Sequence, residues 1–158
     1  MMFAFDADIL STFAKINKLG ILPKIFGSGA LLIPPAVVAD LQASKSESVR
    51  KACESNLFQH ATLDQNESEF AEKISKEKRL GRGEIECIAV CKFRSVNIVT
   101  NDSRAISYAE KLNIGVIDLE TILYSLKDTI SNDELNQLIN EIESEDKVVI
   151  VNKGNILS

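Results

Sequence analysis

The chain is poor in cysteine and histidine, has no long apolar run, and carries no surplus of positive charge. Its three cysteines, Cys53, Cys87 and Cys91, form no CxxC pair. That argues against a disulfide framework and against a structural zinc site. Cys87 and Cys91 stand four apart among Ile88, Ala89 and Val90, so they read as buried thiols that pack like small hydrophobes. No apolar stretch approaches the roughly 18–20 residues of a membrane span. The apolar N-terminus is interrupted by Asp6 and Asp8, and no basic region precedes it. A secretory signal is therefore not expected, and a cytoplasmic location is. Acidic residues outnumber basic ones, 23 to 18, for a net charge of −5. This is not the global signature of a nucleic-acid binder, yet a local basic groove is compatible with an acidic total. Internal repeats, low-complexity tracts and long linkers are absent.

What is present is an ordinary globular composition, 45% hydrophobic over 158 residues, enough for one domain with a sizeable core. We expect a single domain over 1–158, with a core of about 1–128. Residues 129–158 would add a C-terminal helix and a candidate edge strand. Short buried strands are expected at MFAFD (2–6), ALLI (30–33), SVNIVT (95–100) and IGVI (114–117), with LFQHATL (57–63) as a further candidate. Helices are expected at 8–19, with Asp8 as N-cap, then at ILPKIFGSG and PPAVVADLQAS. The polar stretch 44–56 reads as helix or loop, and 64–79 as a charged, solvated helix. EIECIAVCKF is apolar almost all round and so belongs between other elements. DSRAISYAEKLN, DLETILYSLKD and 131–145 complete the helices, and KVVIV (147–151) is the candidate edge strand. Strands alternating with helices predict an α/β fold, with a central, mostly parallel sheet in a three-layer α/β/α arrangement.

In such sheets ligands bind beyond the carboxyl ends of the strands. FAFDADIL places Asp6 at the end of the first strand, and IVTNDS places Asp102 just past another. Glu84 opens the apolar helix after LGRG, on the side shared by Cys87, Ile88 and Cys91. Asp40 borders the buried stripe of PPAVVADL. Each has a structural explanation: Asp8 and Asp102 suit helix caps, and Glu84 suits a helix N-terminus. Asp6 fits that explanation least. Carboxylates converging on one sheet edge repel each other and raise each other's pKa unless a cation compensates. An all-oxygen shell favours hard divalent ions such as Mg²⁺ or Mn²⁺.

These motifs together resemble the PIN domain, a metal-dependent nuclease fold that includes ribonuclease toxins of toxin–antitoxin pairs of the VapC type. FDADIL is similar to its opening motif, IPPAVVADL to its second, LGRGEIECIAVC to its third and IVTNDSRAISYA to its fourth. The resemblance covers roughly residues 2 to 125. It implies metal binding by Asp6, Glu84 and Asp102, with Asp40 as a further catalytic carboxylate where the family more often has glutamate. Asp8, Thr100 and Asn101 would support the cluster from behind. Arg82 and Arg104 are candidates for substrate phosphates. The implied reaction is hydrolysis of RNA phosphodiesters with Mg²⁺ or Mn²⁺. A small antitoxin and a homodimer are the implied partners, and no membrane is involved. His60, the single histidine, lies outside all four motifs.

Two other readings stand beside this one. Hydrophobic-Asp-x-Asp also opens the haloacid-dehalogenase phosphatases, with the first aspartate as nucleophile. That family usually places Thr or Val where this chain has Leu10, and it has no role for Glu84. The other reading is a PIN fold kept as a non-catalytic interaction module.

Overall fold

The computed structural model describes all residues, 1–158. In chain order its elements are β1 (Phe3–Phe5), α1 (Ala7–Lys15), α2 (Ile21–Phe26), β2 (Leu31–Ile33), α3 (Pro35–Gln42), α4 (Glu47–Ala52), β3 (Phe58–His60), α5 (Gln65–Glu77) and α6 (Arg82–Arg94). Then follow β4 (Asn97–Val99), α7 (Ser103–Lys111), β5 (Val116–Ile117), α8 (Leu119–Ser125), α9 (Asn132–Asp146) and α10 (Lys153–Leu157). The five strands pair in the order β3-β2-β1-β4-β5, and every pairing is parallel. Helices cover the sheet in a three-layer α/β/α arrangement, as the alternation of strands and helices predicts.

The strand order reverses direction between β1 and β4. From β1 the chain builds outward to β2 and β3, then returns to the other side of β1 for β4 and β5. That junction is a topological switch point, where the loops beyond the strands diverge and leave a crevice. Phe5 pairs in register with Val99, so the residues that follow, Asp6 and Thr100, emerge side by side into that crevice. The Asp6 amide still donates to the Val99 carbonyl at 3.0 Å, and the Thr100 amide to the Ile117 carbonyl at 3.1 Å. Backbone pairing thus continues to the base of both side chains and fixes where they point.

Below the crevice lies the core. Phe5, Leu31, Ile33, Ile98 and Val99 are fully buried, and the Phe26 ring meets both Phe3 and Phe5 edge-on. Along α6 every residue from Ile85 to Cys91 is buried, which explains a helix sequence with no polar face. All three cysteines are free, buried thiols.

Three expectations need correction. The N-cap position of α1 is Asp6, not Asp8, because a single residue separates the end of β1 from the start of α1. The same helix stops at Lys15, short of residue 19, where Asn17 takes a left-handed conformation at φ 56° that asparagine tolerates well. Residues 147–151 form no strand. Lys147 caps α9 in the left-handed conformation and turns the chain away, and the Ile150 amide donates to Glu143 Oε2 at 3.1 Å instead of to a sheet edge. Only Ile150 of that apolar run is buried.

Candidate metal centre and active site

Asp6 is 2% exposed. At the N-cap position of α1 its side chain makes no cap. Instead Oδ2 accepts from the Thr100 hydroxyl at 2.8 Å. Thr100 Oγ1 in turn accepts from the Asp102 amide at 3.2 Å, so one threonine couples the loops after β1 and β4. Asp8, in the first turn of α1, and Glu84, in the first turn of α6, complete a tight group. One carboxylate oxygen from each of Asp6, Asp8 and Glu84 lies within 4.8 Å of the others.

The two glycines of GRGE make this approach possible. A Cβ on Gly81 would overlap Glu84 Oε2, so the glutamate folds back over the helix start through the space glycine leaves. A Cβ on Gly83 would sit 3.0 Å from Asp40 Oδ2 and 3.4 Å from Val37 Cγ2, so α3 and its Asp40 close onto α6 there.

The electrostatics are one-sided. Burial raises Asp6 to about 7, and the Glu84 and Asp8 charges add to the rise, against the Thr100 hydrogen bond. Glu84 is raised by burial and by the Asp102, Asp8 and Asp40 charges, with a hydrogen bond to its own backbone opposing. Asp40 is raised by burial, then by Asp8 and Glu86. No lysine or arginine contributes to any of the three, and none pairs with them within 4.0 Å. Buried Asp6 and half-buried Glu84 thus lack a cation to compensate their charge, and the exposed Asp40 adds to the repulsion. An all-oxygen donor set of this kind fits a hard divalent ion.

Asp102 stands beside the trio rather than in it. Its Oδ1 accepts from the Ala105 amide at 2.8 Å and caps α7, leaving Oδ2 without a protein partner. Asn101 is exposed, and its side-chain carbonyl accepts from the Leu119 amide at 3.4 Å, at the start of α8. Arg82 points elsewhere: Nε meets Glu86 at 3.0 Å and Nη1 meets Glu72 at 3.6 Å. Arg104 is exposed on α7, two residues after Asp102. His60 lies on the edge strand β3 and is exposed.

One buried acid carried no weight in the sequence. Glu86 is 6% exposed, and its Oε1 accepts from the Ala36 amide at 2.9 Å. Helix α3 has Pro34 at its N-cap and Pro35 at its first position, so no local side chain caps it. Glu86 supplies the acceptor from across the α3–α6 contact. The double proline was the available signal, since a proline at the cap leaves helix amides seeking an outside partner.

A family model described as PIN domain matches residues 2–152. The chain belongs to the PIN-domain family. PIN domains are generally metal-dependent nucleases that act on RNA. This favours the nuclease reading of FAFDADIL over the phosphatase one. A search of curated proteins returned no match. As in the sequence, no helix of this PIN domain is long and apolar enough to cross a membrane.

Proposed function

We propose that this PIN-domain protein is an endoribonuclease that hydrolyses RNA phosphodiesters with Mg²⁺ or Mn²⁺ held by Asp6, Asp8 and Glu84, and by Asp102 through the oxygen its helix cap leaves free. The observation that carries the reading is the group of carboxylates at the switch point, mutually repelling and without a protein cation. Asp40 borders the same group and adds negative charge to it.

A divalent ion bound there would activate a water for attack and offset charge on the phosphate. The protein's own contributions are positional. Thr100 holds Asp6 Oδ2 and so fixes the carboxylate beside Asp8 and Glu84. The Ala105 amide fixes the Asp102 carboxylate, and Gly81 lets Glu84 fold toward its neighbours. Asp6 gives up its proton as a cation is taken up, because its pKa of about 7 belongs to the cation-free cluster. Hydrolysis by water would leave a 5′-phosphate and a 3′-hydroxyl, as the family resemblance implies.

Digestion of RNA with Mg²⁺ or Mn²⁺, with EDTA, and with Asp6→Asn tests this. Cleavage should need the ion and the aspartate; cleavage that persists in EDTA or in the variant overturns the mechanism. A toxin role, with a small antitoxin covering the crevice, is the physiological setting the resemblance suggests. Growth arrest on expression, relieved by Asp6→Asn, would bear it out.

A further inference from the structure

The two grooves that flank the carboxylates differ in sign. One, of about 450 Å³, runs past Asp8 and Asp102 to Asp146, and its only cation, Lys15, is held by Asp146 at 2.8 Å. The other, of about 330 Å³, is lined by Lys78, Arg79, Leu80, Arg104, Tyr108 and Lys111, with no acidic residue among its walls. Ser103, at the start of α7 and next to Asp102 in the chain, borders both, so the second groove begins one residue from Asp102. Its four cations are exposed, and none has an ion-pair partner. In a chain of net charge −5 this is a concentrated positive strip.

The strip is built by helical spacing. Arg104, Ser107, Tyr108 and Lys111 stand at i, i+3, i+4 and i+7 on α7, so they share one face. That face runs about 10 Å from first to last residue at the helical rise. Lys78 and Arg79, in the segment between α5 and α6, form the facing wall. Between them the half-buried Tyr108 ring carries the Lys78 ammonium 5.1 Å from its centroid. Glu77 raises the Tyr108 phenol together with burial, but it does not line the groove.

We propose that this groove binds the single-stranded polynucleotide on one side of the scissile phosphate. Phosphates lie along Arg104, Lys111, Lys78 and Arg79; the exposed Lys78 ammonium moves from the Tyr108 ring to a phosphate and leaves that ring face to an unpaired base. The ligand class rests on the nuclease reading of the adjacent carboxylates. The sign of the two grooves makes the site directional, because a polyanion is drawn along the α7 side and repelled along the Asp146 side. An unpaired strand fits because an aromatic platform beside a basic track reads base faces, which a duplex keeps stacked.

The test is fluorescence anisotropy with a labelled single-stranded RNA 10-mer in EDTA, with Asp6→Asn as the background to block cleavage. Arg104→Ala with Lys111→Ala should weaken binding roughly tenfold and lower the salt slope by about 1.4, the share of two phosphate contacts on a single strand. Lys78→Ala with Arg79→Ala should act alike. Tyr108→Ala should lose several-fold, and Tyr108→Phe should restore it. A duplex of equal length should bind more weakly than the single strand. Lys24→Ala with Lys45→Ala, exposed cations outside the groove, should change nothing. The proposal is overturned if the groove pairs behave like this control pair, or if the duplex binds as well as the single strand. Should the wild-type protein cleave RNA while the groove pairs bind and cleave normally, the groove assignment fails and the nuclease stands. Should it cleave nothing while binding still depends on the groove, the nuclease fails and the groove stands.

Discussion

Glu67 and Asp6 are both buried carboxylates, 0% and 2% exposed, and their proton affinities move in opposite directions. Burial alone would raise both. Glu67 is lowered because the Arg94 fork grips it, Nε at 2.6 Å and Nη2 at 2.9 Å, while the Asp64 amide donates at 2.9 Å. Asp6 receives only neutral donors, the Thr100 hydroxyl foremost, and its charged neighbours are acids. The same chain therefore closes one buried carboxylate completely and leaves another short of positive charge. Glu67 ties α5 to the end of α6 and completes a capping box with Asp64. Such a group serves the fold. Asp6, equally hidden from water, has no cationic side chain beside it.

Substitution separates the two. Asp6→Asn should lower RNA cleavage by at least about 100-fold, since carboxylates that only support a metal ligand already reach that range. The variant should melt no lower than the cation-free wild type, because it removes an uncompensated charge. Arg94→Met should do the reverse. Leaving Glu67 buried and unpaired costs about 3 kcal/mol, which at this length lowers Tm by roughly 6–12 °C. Cleavage measured well below that Tm should hold. Equal effects of both variants on both readouts would erase the distinction.

Proton linkage sharpens it further. The folded Asp6 titrates at about 7 against 3.8 in the unfolded chain, so between those values the folded state holds more of the proton. Stability contributed by Asp6 therefore falls as pH rises from about 4 to about 7, by a few kcal/mol in EDTA, and is level above that. Asp6→Asn lacks this slope, so chemical denaturation of the two proteins across that range isolates it. Glu67, lowered when folded, contributes the opposite sign: its stabilisation is present above the unfolded carboxylate pKa and is lost as pH falls below it. The smallest effect belongs to Glu86. Glu86→Ala removes the acceptor for the Ala36 amide and should cost about 1 kcal/mol, the usual value of a helix cap. Thermal denaturation reads it directly.

β1, β4 and β5 were legible because each is a short apolar run ending at a polar residue, and several helices open on a capping residue. Asp102 caps α7 as expected from its sequence, and Asp64, Asp118 and Ser131 cap α5, α8 and α9. KVVIV misled because β-branched residues announce strand propensity whether or not a sheet edge is in reach. There the left-handed Lys147 decided the outcome. At the site, the sequence marked Asp6 and Glu84 through strand ends and helix starts. It assigned Asp8 to a cap, because helix boundaries blur by a residue in sequence patterns. It aimed Arg82 at substrate, although Glu86 stands one helical turn further along and holds it; the second partner, Glu72, is brought in by packing. Partners distant in sequence, such as Glu67 with Arg94 or the Ala36 amide with Glu86, are set by packing and leave no periodic trace.

The contrast between closed and open carboxylates comes down to whether a cation completes the second set. Isothermal titration of Mn²⁺ into the wild-type protein at pH 7.5, beside Asp6→Asn and Glu84→Gln, measures that directly. A saturable binding heat in the wild type, lost in both variants and accompanied by proton release that grows as pH is lowered toward 6, is the predicted result. Wild-type binding that survives unchanged in both variants, or no binding to any of the three, would contradict it.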